Sequence, residues 1–308
     1  MKQLGAPEIS MPAQQFPISY IDPVFRPPSE AHSLILPVTN GCSWNQCTFC
    51  EMYTDEQKKF RARDEAQVLD EIRRSGEQLI VQRIFLADGD AMVLPTRRLL
   101  TILEAIREHM PTVERVTSYC LPRNLKRKSV TELKELREAG LAMLYVGAES
   151  GDDQVLERVN KGETFESTEQ ALTKAGDAGM QRSVMILNGL GGKSLSEQHA
   201  LNSARLMNAT QPEFVSTLVV SFPQGMERYR ARFPDFEPLD QESLFSELKQ
   251  FMETLELKNS VFRSDHASNA LVLKGTLGTD KERLLAQVQS AIERPEAARL
   301  RPEWMRGL

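Results

Sequence analysis

Three of the four cysteines fall within nine residues, in the stretch Thr39 to Tyr53 that reads TNGCSWNQCTFCEMY. Cys42, Cys47 and Cys50 follow a Cys-x4-Cys-x2-Cys spacing, and the fourth thiol, Cys120, lies far along the chain. Thiols this crowded suit a metal. Three ligands fall short of a closed tetrahedral zinc site, whereas a 4Fe-4S cluster on three thiolates keeps one iron open to a small molecule. A zinc knuckle completed by Cys120 or a histidine is the competing reading of the same residues.

Other segments carry chemistry-bearing residues. Ala87-Asp88-Gly89-Asp90 places two carboxylates around a glycine, although Asp-Gly is also an ordinary turn. Gly147-Ala148-Glu149-Ser150-Gly151-Asp152-Asp153, followed by Asn160-Lys161-Gly162, offers Glu149 as an acceptor-only side chain for ligand hydroxyls or for a structural hydrogen bond. Asn188-Gly189-Leu190-Gly191-Gly192 allows close backbone approach to a flat ligand, or is merely a tight turn. Val261 to Asn269 reads as a compact polar segment containing Arg263, Asp265 and His266. His266 closes over a site or belongs to a local network. Tyr53, Tyr119 and Cys120 complete the candidates, with packing as the alternative role for each.

The elements that must position these residues alternate. Strands are predicted at Ser33 to Val38, Arg83 to Ala87, Val113 to Tyr119, Ala142 to Gly147, Arg182 to Leu187 and Phe214 to Val220. Amphipathic helices are predicted over Glu65 to Leu79, Leu94 to Met110, Thr131 to Ala139, Thr164 to Ala178 and Leu195 to Asn208. Alternation of this kind implies parallel βαβ units, as an incomplete barrel or a doubly wound sheet. Both architectures put chemistry at the carboxyl ends of the strands, which is where the cysteine loop falls. Residues 1 to 30, with prolines at 7, 12, 17, 23, 27 and 28, read as an extended arm. Beyond Pro223 the pattern changes to two further helices, Glu242 to Leu257 and Asp280 to Glu293.

With 308 residues, 41% of them hydrophobic, the chain can bury a substantial core. The formal charge of -5 argues against nucleic acid as a partner. The one basic patch, Arg123, Lys126, Arg127 and Lys128, reads as a solvated loop. An N-terminus without an apolar segment behind its lysine, the absence of any run long enough for a membrane span, and free thiols point to a cytoplasmic protein with no membrane partner.

With these motifs placed, the chain resembles the radical S-adenosylmethionine (SAM) superfamily over roughly Ser33 to Val220. The usual spacing there is Cys-x3-Cys-x2-Cys, so this chain carries one extra residue before Cys47. The Gly-Ala-Glu-Ser-Gly segment resembles the branch containing methylthiotransferases, the Elongator-type subunit and oxygen-independent coproporphyrinogen oxidase. The resemblance implies an α/β fold, a partial (β/α)6 TIM-like barrel with a C-terminal α-rich extension. The domains would then be an arm (1-30), the radical SAM core (31-222) and an extension covering the barrel (223-308). It further implies a 4Fe-4S cluster on Cys42, Cys47 and Cys50, and SAM held by Phe49, Gly89, Asp90, Glu149, Asn188, Gly189, Gly191 and Gly192. His266, Arg263, Tyr119 and Cys120 would face the substrate. A reductant such as flavodoxin or ferredoxin would supply electrons, and the enzyme would abstract hydrogen from a substrate that the sequence does not identify. The alternative from the same resemblance is a non-catalytic, cluster-binding protein that traffics heme or another tetrapyrrole, with His199 and His266 as its candidate ligands. A tRNA-modifying role lacks a basic or appended RNA-binding module.

Overall fold

The computed structural model describes residues 16–306. Pro7 and Pro12 of the expected arm lie outside that range. From Phe16 to Glu30 the proline-rich chain forms no strand, only a 3-10 turn at Pro28–Glu30. Side chains hold it in place instead of a backbone ladder. Ile18 is buried in the core, Tyr20 Oη donates to Ile35 O at 2.9 Å, and Ser19 N donates to Glu71 Oε1 at 3.1 Å.

Strand β1 (Leu34–Pro37) leads into a short antiparallel ribbon, β2 (Thr39–Asn40) with β3 (Arg61–Ala62), which brackets the cysteine loop. The βα alternation follows with α1 (Glu65–Gln78), β4 (Arg83–Ala87), α2 (Thr96–His109) and β5 (Arg115–Cys120). Next come α3 (Pro122–Lys126), α4 (Val130–Glu138), β6 (Leu141–Glu149), α5 (Asp153–Arg158), α6 (Phe165–Asp177), β7 (Gln181–Asn188), α7 (Gly192–Thr210) and β8 (Phe214–Val219). Local chemistry sets several boundaries: the Asp64 carboxylate caps α1, and Ser129 with Glu132 forms a reciprocal capping box on α4.

The C-terminal part contributes α8 (Glu227–Arg230), α9 (Gln241–Thr254), β9 (Val261–Ser264), β10 (Leu273–Thr276) and α10 (Lys281–Glu293). All the main strands belong to one sheet of order β1-β4-β5-β6-β7-β8-β9-β10. Every neighbouring pair is parallel except the last, β9 with β10. The order follows the chain without reversing, which is the winding of an incomplete barrel and not of a doubly wound sheet.

The extension is therefore not only α-rich. The segment read as compact and polar is half strand: Val261–Ser264 is a seventh parallel strand paired with β8, and the sheet runs on past Pro223. Four residues hold only two turns of a period-two pattern, too short a signal to separate from a loop. Tertiary pairing with Phe214, Val215 and Ser216 makes the strand.

Strand residues alternate between two faces. Val116, Cys120, Leu144, Val146, Val184, Ile186, Val215 and Phe262 belong to the large core that the helices cover. The alternate residues, including Phe85, Tyr119 and Tyr145, turn to the concave side, where these three rings meet edge to face at 4.9–6.4 Å. At its lower end this face is closed by the turn carrying Glu30, whose buried carboxylate takes Arg115 at 2.8 Å and the Tyr145 hydroxyl at 2.6 Å. No helix among the described residues is long and apolar enough to cross a membrane.

Because Phe262 is fully buried in the same core as β1 to β8, Phe262→Ala should destabilise the whole chain by about 3–5 kcal/mol. Urea unfolding followed by circular dichroism should show a single, shifted transition; a separate early transition with the remainder unmoved would make the extension an independent unit.

Candidate functional site

The cysteine loop is fixed before it holds anything. Gly41 and Gly89 both adopt positive φ, at +73° and +78°, and a Cβ on Gly89 would collide with the Gly41 carbonyl and the Cys42 amide. The loop after β4 thus lies directly on the start of the cysteine loop, at an approach that only glycine permits. Asp88 clasps the two together: its carboxylate pairs with Lys58 Nζ at 2.6 Å and accepts from Tyr53 Oη at 3.0 Å. Its carbonyl accepts from Thr39 Oγ1 at 2.7 Å. Lys58 and Asp88 are both buried.

Asp90 is buried as well, with its two oxygens taken by Ser43 Oγ and Asn124 Nδ2. Burial pushes its carboxyl up to about 6, against the pull of those donors. The acidic residue of this loop therefore ties the cysteine loop to α3.

From the other side, the segment after β6 grips the same loop. Thr48 N donates to Val159 O at 2.9 Å and Trp44 Nε1 to Asn160 O at 2.8 Å. The Arg123 guanidinium stacks 3.9 Å over Trp44, donates to Gly162 O at 2.6 Å and pairs with Glu163 at 2.9 Å. Lys128 is buried and donates to Leu94 O at 2.7 Å. The basic patch expected as a solvated loop is thus partly structural: Lys126 and Arg127 are exposed, while Arg123 and Lys128 turn inward.

Glu149 ends β6 with φ +66°, a left-handed conformation rare for a residue with a side chain. Its Oε1 meets Lys161 Nζ at 3.0 Å in a buried pair, and its Oε2 is buried without a hydrogen-bond partner. Burial lowers the Lys161 pKa, but the Glu149 carboxylate beside it, with any thiolate at Cys47, outweighs it and holds the group above the ordinary lysine value. The same ammonium lies 5.9 Å from the Phe49 ring. Lys161 entered the sequence reading only as a neighbour of Gly162; the pairing that singles it out is tertiary.

Cys42, Cys47 and Cys50 are free and half-buried. Burial raises all three thiols, Cys47 to about 12, while Lys161 pulls each of them down. Such thiols give up their protons to a metal that takes their place as counter-charge. Among the described residues no three His, Cys, Asp or Glu converge on a single point. The three thiols are nonetheless near enough to act on one another's charge, Cys47 and Cys50 each sensing Cys42, and thiolates are the ligands that iron-sulfur clusters take. Cys120 does not join them: it faces the helix-side core and its thiol donates to Leu121 O at 3.3 Å.

The glycine turn after β7 is braced by α9. Gly189 N donates to the buried Glu247 of α9 at 2.6 Å, and Cβ atoms on Gly189 and Gly192 would meet Leu244 and Phe236. Asn188 is buried beside them. Residues 222–237, absent from the sequence-based candidates, cross over these loops as a strap. Arg228 Nη1 donates to Cys50 O at 2.6 Å, Gln224 N to Glu51 at 3.2 Å, and Tyr229 Oη to Leu190 O. Its aromatic residues Phe222, Tyr229, Phe233 and Phe236 form a second apolar cluster with Val155, Leu187 and Leu190, against which Phe49 packs. That run of aromatics was the available signal.

Of the four substrate-side candidates, Tyr119 and Arg263 lie on the concave face by strand register. Cys120 lies on the opposite face. The Nδ1 of His266, in the loop after β9, is held by the Ser268 hydroxyl at 2.9 Å and accepts from Ser268 N at 3.2 Å, a local turn.

A sequentially wound βα array whose strand ends gather three free thiols, a half-satisfied buried carboxylate and a glycine turn defines the radical SAM class. The profile of the Radical SAM superfamily matches residues 36–206. The chain belongs to that superfamily, whose cofactors are a 4Fe-4S cluster and SAM. It is 28% identical over 156 residues to the 4'-phospho-dehydrooxetanocin synthase of Priestia megaterium, covering 46% of this chain and 21% of that protein. It is 23% identical over 189 residues to the heme chaperone HemW of Bacillus subtilis (strain 168), covering 60% of this chain and 49% of the relative. The chain thus spans less than half the length of either curated relative. The coproporphyrinogen III oxidase of Escherichia coli shares the fold, with a TM-score of 0.55 at 16% identity over 72% of this chain and 51% of that one.

Asp88→Asn would leave Lys58 buried without its counter-charge and should cost about 3–5 kcal/mol in chemical denaturation. Adding Lys58→Met should recover most of that loss, because the double variant buries no unpaired charge.

Proposed function

We propose that this protein is a radical SAM enzyme that abstracts hydrogen from a substrate held on the concave face of the sheet. The observation that carries the reading is the Glu149 carboxylate, buried at the strand ends with one oxygen satisfied by Lys161 and the other unpartnered. An unpartnered buried acceptor is costly unless a ligand donor completes it. The hydroxyls or ammonium of SAM are donors of that kind.

The donor set fits the cofactors. Cys42, Cys47 and Cys50 would hold the cluster, while Glu149, Phe49, Gly89, Asp90 and the Asn188 to Gly192 turn would surround SAM. When bound, the cluster supplies the electron for reductive cleavage of SAM to methionine and a 5'-deoxyadenosyl radical. The protein's own residues do the rest. Lys161 offsets the negative charge that three thiolates and Glu149 bring into a buried space. The aromatic strap covers the Cys50 side of the loop and limits water there. Electrons would come from an external one-electron donor of the flavodoxin or ferredoxin kind.

The heme-trafficking alternative finds less support in the side chains. His199 is buried, with Nδ1 bonded to Ser150 Oγ at 2.8 Å and Nε2 to Leu187 O at 3.0 Å, and is not free to ligate.

Anaerobic reconstitution should yield brown, iron-loaded protein that releases 5'-deoxyadenosine with dithionite and SAM. Alanine at any of the three loop cysteines should abolish iron loading, and stoichiometric zinc without iron would sink the reading. Glu149→Gln keeps the shape but removes the charge, and should weaken SAM binding about ten- to a hundred-fold. Equilibrium dialysis on the iron-loaded variant measures that directly.

A further inference from the structure

The concave face is not uniform from edge to edge. On the β1 side it is aromatic, with Phe85, Tyr119 and Tyr145 in contact. Toward the other edge it turns polar and more open. Register places Gly147, Met185, Ser216, Arg263 and Lys274 in one row straight across β6, β7, β8, β9 and β10. Ser183 lies one row lower, opposite Tyr145. Met185, Ser183 and Ser216 are partly accessible, and Arg263 is exposed.

The charges along this face are lopsided. Arg263 has no ion-pair partner among the described residues; its guanidinium donates only to the neighbouring Phe262 carbonyl at 3.1 Å. Lys274, beside it, is paired with Asp265 at 2.8 Å. Of the carboxylates near this face, Glu30 is buried and already saturated by Arg115, Tyr145 and Ser33, and Glu149 is paired with Lys161. Next to its outer end the row thus carries an unneutralised guanidinium, with a serine hydroxyl directly across the strand pair. It begins two residues before Glu149, at the cofactor end. Three strand spacings separate Gly147 from Arg263, a span of about 14 Å.

We propose that Arg263, with Ser216, binds an anionic group of the substrate, a phosphate ester or a carboxylate, and thereby orients the substrate's other end toward the loops that carry Cys50 and Glu149. This rests on the radical SAM reading for the reacting end, and it adds the substrate's chemical class. A guanidinium presents a planar fork suited to two oxygens of either anion, and the hydroxyl supplies a further donor. Arg263 is then a specificity-determining residue and not a group that touches the reacting atoms. A cationic substrate group would meet an unneutralised positive charge on this face.

Isothermal titration of the iron- and SAM-loaded protein with inorganic phosphate and, separately, succinate tests the assignment. One of the two should bind at a single site, and which one binds distinguishes a phosphoryl from a carboxyl ligand. Arg263→Gln should weaken that binding at least ten-fold and Ser216→Ala several-fold, with circular dichroism unchanged. Arg107→Gln, on the outer surface of α2, should leave it unaltered. Failure of both anions to bind the wild-type protein, or equal binding by Arg263→Gln, overturns the proposal. The underlying reading is scored on its own: if wild-type protein releases no 5'-deoxyadenosine with dithionite, that reading fails whatever the anions do.

Discussion

The buried pair of Lys58 and Asp88 is the constraint on which the site depends. A loop of some fifteen residues rich in polar and small side chains has no reason of its own to keep three thiols in place, and chain entropy works against it. The pair ties the far end of that loop to the end of β4, and Tyr53 and Thr39 bond to the same residue. With Gly89 seated on the Gly41 backbone, the loop has nowhere to drift. Two charges taken out of water stay favourable only when each is well satisfied, and here the lysine donates also to Ile21 O. The arm that precedes the first strand is thereby part of the same clasp.

Around this anchor the site is assembled by contacts between loops that are distant in sequence. The turn after α5 holds Thr48 and Trp44 from one side, and the strap at 222–237 holds Cys50 from another. Charge is balanced within the enclosure: Lys161 faces Glu149 and lies within electrostatic reach of the cysteines. A buried lysine without such neighbours would lose its proton; with them it stays a cation where negative ligands gather. The left-handed conformation of Glu149 belongs to the same arrangement, since it turns the carboxylate toward Lys161 at the end of a strand.

The sheet itself divides labour. Its helix-covered face carries the large apolar core, and its concave face shifts from aromatic to polar across the strands. The C-terminal part extends that face with β9 and β10 and also braces the glycine turn through Glu247. A single segment of chain therefore both completes the sheet and extends its concave face.

Periodicity and the placement of the cysteines made the first six main strands, their helices and the position of the cysteine loop at a strand end legible in the sequence alone. Those signals are local: hydrophobic repeats of strand or helix period, and three thiols crowded into nine residues. What tertiary structure decided lies between segments. β9 became a strand because β8 offers it a parallel edge, not because four residues carry a pattern. Arg123 and Lys128 left the solvent because Trp44, Glu163 and the Leu94 carbonyl were waiting for them. Cys120 and Tyr119, adjacent in sequence, were sent to opposite faces by the pleat of β5. Lys58, Lys161 and the aromatic strap gained their roles only through partners far away along the chain, and sequence spacing cannot encode a distance that folding alone creates.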